Sequence, residues 1–376
     1  MSEWRKSCLG QLADIVKGDQ VNSDTLDQTG KYPVINGGME PSGYLDRWNR
    51  ERESITISEG GNSCGYVSLM KQRFWSGGHC YTLRMVQISN SYLYHYLKFI
   101  QQDIMKLRVG SGLPNIQRND IDEIEVCYPS DDQEQVRIAD ILCTVDEVIE
   151  QTEAAIDKYQ AIKAGMMQDL FTRGIDTKTG KLRPTIEEAP ELYKETVLGW
   201  IPKEWEIASL SEVCGMKSGD GITSKSIDEY GRYPVYGGNG LRGYTANYTH
   251  EGSYVLIGRQ GALCGNVNRV DGKFYTSEHA VVVSVNSDID VDWFSYILDS
   301  MNLNTYSEAS AQPGLAVSKI LRLKIRVPKL KEQRMIASVI RSLNTKLEAE
   351  TALYSEYNQI KQGLMADLLT GSVKTV

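Results

Sequence analysis

The sequence predicts an α+β fold with two α+β domains in tandem repeat, separated by two long helices. The helices are predicted to pair as an antiparallel coiled coil with pseudo-twofold symmetry. Three observations predict it: the chain repeats itself once, each copy begins with short β-type segments, and each copy ends in a long heptad pattern. With 376 residues, 41% of them hydrophobic and 24% charged, the chain is long enough for more than one buried core. The predicted segments are a first domain at 1–130, a first helix at 131–172, a linker at 173–203, a second domain at 204–330 and a second helix at 331–371.

The repeat is visible as matched residues at a nearly constant separation. The matched pairs include Glu3-Trp4 with Glu204-Trp205, Gly30–Val34 with Gly231–Val235, His79 with His279, Glu134-Gln135 with Glu332-Gln333, and Met167–Leu170 with Met365–Leu368. Their order is kept and the offset falls only from 201 to 198 along the chain. The two halves are therefore a tandem duplication with small insertions and deletions.

Each globular domain is predicted to combine short strands with one helix. The strand candidates are rich in β-branched residues and lie among turn residues; they are Ser54–Ile57, Tyr81–Val86, Tyr254–Ile257 and Ala280–Val285. The helix candidates Ser91–Lys106 and Val291–Asn302 have apolar residues three and four positions apart. This mixture predicts a compact α+β domain with many surface loops.

A heptad pattern follows each domain, after Pro129–Asp132 in the first copy and Pro328–Lys331 in the second. The apolar seam positions are Ile138, Leu142, Val145, Ile149, Ile156, Tyr159, Met166 and Leu170 in the first copy, and Ile336, Ile340, Leu343, Leu347, Tyr354, Tyr357, Leu364 and Leu368 in the second. Polar residues interrupt the seam and can fix its register; they are Thr152, Lys163, Glu350 and Lys361. We expect the two seams to pair, the alternative being two amphipathic helices packed on separate domains.

The linker 173–203 is predicted to be an irregular tether. It begins with Gly-Ile-Asp-Thr-Lys-Thr-Gly and contains Pro184, Pro190 and Pro202.

Several classes of protein are disfavoured by composition. No apolar run reaches the roughly 18 residues of a spanning helix, and the polar start Met1–Lys6 does not resemble a signal peptide, so we expect a cytoplasmic protein without a membrane partner. The seven cysteines include no close Cys-x-x-Cys pair, and the four histidines fit no zinc spacing. Neither a disulfide framework nor a metal site is expected.

The net charge of −8 does not exclude a nucleic-acid partner, because most of the excess acid lies in one helical segment. Residues 131–172 contain 10 acidic and three basic residues. The outer face of this helix carries Asp140, Asp146, Glu147, Glu150, Glu153 and Asp157. We expect this face to lie away from DNA, either toward a basic subunit surface or simply solvated.

Motifs for catalysis are missing from the sequence. There is no Gly-x-x-x-x-Gly-Lys-Ser/Thr loop, no complete dinucleotide fingerprint and no His-Glu-x-x-His. His79 and His279 are the best catalytic candidates because they match across the repeat, but Gly78 precedes one and Glu278 the other. A structural or DNA-facing role is therefore preferred for both histidines.

Two similar but diverged domains on a spacer favour a protein that binds DNA at two sub-sites. The candidate DNA-binding residues have side chains that can contact base edges or phosphates. They are Asn36, Ser63, Lys71, Arg73, His79, Gln117 and Arg118 in the first domain, and Lys225, Arg232, Asn239, Arg259, Gln260, His279 and Lys319 in the second.

The whole chain resembles the specificity subunits of type I restriction–modification systems, the HsdS family. The runs that carry the resemblance are Ser111–Gln117 leading through Ile121–Val126, Met167–Gly174, Leu198–Trp205, Val327–Gln333 and Leu364–Thr370. The first copy departs from the family's usual Pro-Pro-Leu-x-Glu-Gln and reads Tyr128–Gln135, which puts the start of its helix in doubt.

The resemblance implies two target-recognition domains, each of which reads one half of a split, asymmetric double-stranded DNA site, with a gap set by the helices. It also implies two modification subunits that use S-adenosylmethionine to methylate adenine N6, and restriction subunits that use ATP and Mg²⁺. The chain itself would be non-catalytic and would bind no cofactor. Two alternatives remain: a structural adaptor whose domains bind protein, and an enzyme with an unrecognised site.

Overall fold

The computed structural model describes residues 3–110, 112, 114–261, 263–307 and 314–373. Its contacts divide the chain into two compact units, one of Met1–Ala155 with Glu350–Val376 and the other of Ile156–Ala349. Each unit combines one copy of the repeat with the start of one long helix and the end of the other. Ser111 and Leu113, in one of the runs that carry the family resemblance, lie outside the described residues.

The first copy of the repeat forms strands and short helices that precede a long helix. In chain order they are β1 (Trp4–Cys8), α1 (Leu9–Leu12), β2 (Asp14–Lys17), β3 (Tyr32–Ile35), β4 (Gly43–Leu45), β5 (Ser54–Ser58), β6 (Val67–Met70), β7 (Trp75–Ser76), β8 (Cys80–Arg84), α2 (Asn90–Phe99), α3 (Gln101–Lys106), α4 (Arg118–Asp122), β9 (Glu125–Pro129) and α5 (Asp132–Thr172).

The core of the first unit lies between an antiparallel sheet and the helices. The sheet has the order β2-β8-β5-β6, while β4-β3-β7 and β1-β9 form two smaller sheets. Ile55 and Ile57 of β5 are fully buried and share one cluster with Leu93 of α2 and Leu142 of α5. The strand predicted at Ser54–Ile57 thus forms, and its apolar β-branched residues lie in the core of the unit.

The second copy repeats this order. Its elements are β10 (Tyr193–Thr196), β11 (Gly199–Pro202), β12 (Glu206–Ser209), α6 (Leu210–Val213), β13 (Cys214–Ser218), β14 (Tyr233–Gly237), β15 (Gly240–Thr245), β16 (His250–Gly258), β17 (Val267–Thr276), β18 (Ala280–Val285), α7 (Val291–Ser300), α8 (Val317–Ile320), β19 (Lys324–Val327) and α9 (Leu330–Leu369).

The second domain differs from the first in how its sheet is joined. Its strands form one six-stranded sheet in the order β13-β18-β16-β17-β14-β15, because β17 is continuous over ten residues. The matching stretch of the first domain is divided into β6 and β7. Its core contains the fully buried Trp293 and Phe294 of α7 together with Ile336 and Ile340 of α9.

Both long helices form, with 41 residues in α5 and 40 in α9. In the first unit Leu142 of α5 shares a cluster with Leu368 near the end of α9. In the second unit Leu170, near the end of α5, shares a cluster with Ile336 near the start of α9. The helix pairing is therefore antiparallel, as predicted, and all sixteen predicted seam residues are buried or half-buried.

One polar interruption of the seam has a defined partner. Lys361 of α9 forms an ion pair with Asp146 of α5, and both side chains are about one-fifth exposed. This pair corrects the expectation for one residue of the acidic face of α5, because Asp146 contacts the partner helix. Glu150 pairs with Lys71 of the same unit at the surface, where both side chains are more than half exposed.

Several predicted boundaries are wrong by a few residues. The strand expected at Tyr81–Val86 ends at Arg84, because Met85 adopts a left-handed backbone with φ of 49°. The helix expected at Ser91–Lys106 is broken at Ile100 into α2 and α3. The long helices begin at Asp132 and Leu330, one residue after and one residue before the predicted starts at 131 and 331.

The linker is not an irregular tether. It contains a hairpin of β10 and β11, and Ile175 and Ile201 belong to the core cluster of the second unit. The buried Arg183 donates to Glu332 at the start of α9 through two nitrogens, one of them at 2.9 Å. Prolines occur beside and at the end of this ordered hairpin. Proline content alone therefore wrongly predicts an irregular linker.

Within the described residues, no helix combines the length and the apolar character that crossing a bilayer requires. The same part of the chain holds no group of three or more His, Cys, Asp or Glu side chains placed to bind a metal ion.

Candidate nucleic-acid interface

Turns at the ends of strands converge in the first domain. Together with Lys17 at the end of β2, they form what we name loop cluster 1, whose turns comprise residues 36–37, 58–63, 77–79 and 114–117. The main-chain N–H of Glu59 donates to the carbonyl of His79 at 3.0 Å, and the carbonyl of Glu59 accepts from Ile116 at 2.9 Å. The hydroxyl of Ser63 donates to the carbonyl of Gly37 at 2.5 Å. These bonds fix four separate turns against one another.

The second domain builds the same scaffold from Ser218 at the end of β13 and the turns 237–239, 258–261, 277–279 and 314–316, and we name it loop cluster 2. Arg259 occupies the position of Glu59: its N–H donates to the carbonyl of His279, and its carbonyl accepts from Leu315, each at 2.9 Å. A side chain at Gly258 would approach the Gly238 carbonyl to 2.2 Å, so this close packing requires glycine. The two clusters share a backbone arrangement and differ in their side chains.

Loop cluster 1 surrounds a cleft of about 480 Å³. Its wall includes Lys17, Asn36, Glu59, His79 and Asn115. The Asn36 side-chain oxygen accepts from the main-chain N–H of His79 at 3.1 Å, so Asn36 supports the turn that carries the imidazole. The His79 side chain itself is 61% exposed.

A carboxylate organises the charged groups of loop cluster 1. Glu59, whose side chain is only 14% exposed, accepts from Lys17 at 2.6 Å and from the Tyr81 hydroxyl at 3.0 Å. Nδ1 of His79 lies 3.4 Å from its other oxygen. Burial, together with the hydrogen bond to Glu59, raises the pKa of Tyr81, so the phenol remains a donor. Lys17 remains 52% exposed and carries the accessible positive charge.

Loop cluster 2 also has a cation between these two strand ends, but Arg259 supplies it at the position that matches Glu59. The Arg259 guanidinium donates to the Ser218 hydroxyl at 3.1 Å, and Ser218 is the residue that matches Lys17 at the repeat offset of 201. Nδ1 of His279 lies 3.0 Å from the side-chain oxygen of Gln260. Its Nε2 lies 3.3 Å from Glu278. Both clusters therefore present one cation and one imidazole.

A row of cations and aromatic rings also occurs in both domains, and we name it the cation–aromatic ladder. In the first domain Lys31 lies over Tyr32 at 5.3 Å, Tyr32 and Trp48 have ring centroids 5.1 Å apart, and Arg73 lies over Trp48 at 4.6 Å. The matching residues of the second domain are Arg232, Tyr233, Tyr248 and Lys273, with corresponding distances of 5.2, 5.0 and 4.8 Å. The duplication has kept this chemistry while exchanging lysine and arginine.

The remaining candidates have varied surroundings, and of these only Gln117 and Asn239 belong to the loop clusters. Lys71 forms an ion pair with Glu150 of α5 at 2.6 Å, and Arg73 pairs with Glu51 at 2.8 Å. Arg118 lies 3.5 Å from Asp122 and 3.9 Å from Asp14. Exposed positions are also occupied by Gln117, Asn239, Lys225 and Lys319. Three of these candidates therefore have an acidic partner within the chain.

The sequence family agrees with this duplicated architecture. The type I restriction modification DNA specificity domain matches residues 1–159 and again residues 202–359. The chain belongs to this family. It is therefore a type I specificity subunit. As the sequence predicts, this is the non-catalytic subunit of its system.

Two relatives show the extent of the similarity between specificity subunits. The EcoprrI type I restriction enzyme specificity subunit of Escherichia coli is 45% identical over 161 residues, which span 41% of this chain and 40% of that protein. A protein named as a type I specificity subunit of Mycoplasma genitalium is 26% identical over 97% of this chain and 93% of its own length.

A solved structure supports the fold of this specificity subunit. The crystal structure of the type I restriction–modification S subunit from M. genitalium has a TM-score of 0.75 and 24% sequence identity. The match covers 97% of this chain and 96% of that chain. The predicted arrangement of two α+β domains in tandem with two long helices is confirmed.

Sequence reasoning missed Lys17 and Glu59 of loop cluster 1. Neither residue stands out in a run of basic or amide side chains, and neither has the same residue type at its matched position. A signal was nevertheless present, because aligning the copies at offsets of 201 and 200 pairs Lys17 with Ser218 and Glu59 with Arg259. A change of charge at matched positions marks where the two domains differ chemically.

Proposed function

We propose that this specificity subunit binds a bipartite, asymmetric site on double-stranded DNA, with one half contacted by each globular domain. The observation that carries the proposal is the pair of loop clusters, which share one backbone scaffold and differ in side-chain charge. A common scaffold supports a common task, and different polar groups support different base sequences. The cations and imidazoles at the cluster surfaces have the donors that base edges and phosphates accept.

We also propose that the chain assembles with two modification subunits and with restriction subunits. Apolar side chains are exposed along both long helices; they are Val136, Ile141, Ile162, Leu353 and Ile360. Exposed apolar residues on a rigid helix are suited to contacts with other proteins. S-adenosylmethionine, ATP and Mg²⁺ would act in those partner subunits, and this chain would bind no cofactor of its own.

The test is to co-express this chain with the modification subunit of its system and to map N6-methyladenine in the host genome. The expected result is a split, asymmetric motif that is methylated on both strands and is lost when this chain is omitted. The modification subunit alone is the control. If the two proteins co-purify but methylate no shared motif, DNA recognition is contradicted, and if they do not associate, an adaptor for other proteins becomes the better interpretation.

A further inference from the structure

The two loop clusters place a cation between the same two strand ends but supply it from opposite sides. In the first domain the cation is Lys17, at the end of β2, and its partner Glu59 follows β5. In the second domain the partner Ser218 ends β13 and the cation Arg259 follows β16. The pair in the first domain has no net charge, whereas the pair in the second domain is positive.

This exchange of charge contrasts with another set of matched residues. The cation–aromatic ladder keeps a positive side chain at each matched position, with Lys31 matched by Arg232 and Arg73 by Lys273. The backbones of Glu59 and Arg259 are also held by the same contacts, including a thiol that donates to the carbonyl of each residue at 3.1 and 3.3 Å. At this position the backbone contacts are thus kept while the side chain and its charge differ.

The chemistry of the two cations differs in a way that bears on base recognition. An arginine guanidinium has a planar fork of donors that fits guanine O6 and N7, whereas a lysine ammonium is a single point charge. Ser218 is neutral and leaves the charge of Arg259 available, since only one nitrogen of the guanidinium donates to it. Glu59 instead neutralises Lys17 and fixes its direction.

We propose that Arg259 contacts a guanine in the half-site of the second domain, and that Lys17, positioned by Glu59, is the corresponding base-contacting residue of the first domain. This inference rests on the proposed bipartite recognition of DNA and names residues that determine its two halves. Glu59 is a positioning residue, because it acts through Lys17.

The test uses the complex of this chain with its modification subunit and reads the methylated motif by genome sequencing. Arg259→Lys keeps the charge and removes the fork, and Arg259→Gln removes both. Each is expected to reduce the preference for guanine at one base pair of the second half-site by roughly 5- to 150-fold and to leave the first half unchanged. Lys217→Gln is the matched control, because Lys217 is exposed and lies on the opposite face of β13 from Ser218.

The first domain provides an independent arm. Lys17→Gln and Glu59→Gln are expected to relax one base pair of the first half-site only. The double variant Lys17→Ser with Glu59→Arg copies the arrangement of the second domain, and it is expected to introduce a guanine preference into the first half. A residue that only stabilised the fold would not produce this gain.

The failures can be told apart. If the wild-type complex methylates no split motif, the proposed function is wrong. If it does, but the Arg259 variants lower methylation of every site equally with an unchanged motif, Arg259 contacts phosphate and the inference is overturned. Unchanged motifs in all variants overturn it as well. A variant that fails to co-purify with the modification subunit is not correctly folded and is set aside. The inference is then decided by Arg259→Lys and the first-domain variants.

Discussion

His95 of α2 is buried against the first long helix, with 1% of its surface exposed. Its Nε2 lies 3.4 Å from the Cys143 sulfur, and its Nδ1 lies 3.9 Å from Asp146. Burial lowers the pKa of His95 to about 4, although Asp146 opposes this effect, and Lys361 contributes to it. The matched residue of the second copy is Ser295, which cannot titrate. Only the first unit therefore has a buried imidazole at this helix contact.

We predict that this histidine makes the first unit sensitive to acid. The pKa of His95 in the folded state lies below its ordinary value of 6.5, so the unfolded chain binds the proton first as the pH falls. Stability is therefore lost between about pH 6.5 and pH 4, by roughly 2 kcal/mol from pH 7 to pH 5. Urea unfolding of His95→Ser at both pH values should show a weaker pH dependence than the wild type. An identical dependence would contradict the assignment.

At the scale of elements, the linker hairpin is attached to α9 by a buried polar contact. Arg183 and Glu332 have side chains 7% and 2% exposed, and the Trp205 indole also donates to Glu332 at 3.1 Å. The first copy has Glu134 at the position of Glu332, where it pairs with the half-exposed Arg137 at 2.6 Å. The two matched glutamates, Glu134 and Glu332, thus differ in their partners: the arginine that pairs with Glu332 is buried, and the one that pairs with Glu134 is half exposed.

The two arginines provide a matched comparison. We predict that Arg183→Met lowers the free energy of unfolding by about 3–5 kcal/mol, because it leaves a buried carboxylate without its main partner. Arg137→Met should lower it by about 1 kcal/mol or less, because solvent screens the half-exposed guanidinium of Arg137, even though Glu134 itself is buried. Urea denaturation of both variants measures the difference. Equal losses would show that burial of Arg183 does not decide the strength of the contact.

At the scale of the whole molecule, the duplication gives each domain its own core and its own loop cluster. The core of the first unit includes residues from both long helices, and so does the core of the second. A domain can therefore be exchanged only if the residues that face the helices, such as Leu93 in the first domain and Phe294 in the second, remain apolar. The loop clusters are built from turns and do not depend on those positions.

We predict that recognition is modular. Replacing residues 1–128 with the first domain of another specificity subunit should change one half of the methylated motif and leave the other half intact. The reciprocal exchange of 204–328 should change the other half. Mapping of N6-methyladenine in cells that express each chimera measures both results. Changes in both halves from a single exchange would contradict independent reading by the two domains.

The sequence by itself determined the duplication, the α+β class and the helix seam, because these depend on periodic patterns that repeat along the chain. Ile138 and Leu368, for example, are recognisable as seam positions from spacing alone, and both are buried. Family membership follows in the same way, since the matching runs are contiguous in the sequence.

Only the tertiary structure decided which polar residues act together. Lys17 and Glu59 are 42 positions apart and meet because β2 and β5 end at one loop cluster. Lys71, a candidate DNA contact in the sequence, pairs with Glu150, which lies 79 positions away on a helix. Ion pairing depends on the distance between two charged groups in the folded chain. The spacing of residues along the sequence does not specify that distance.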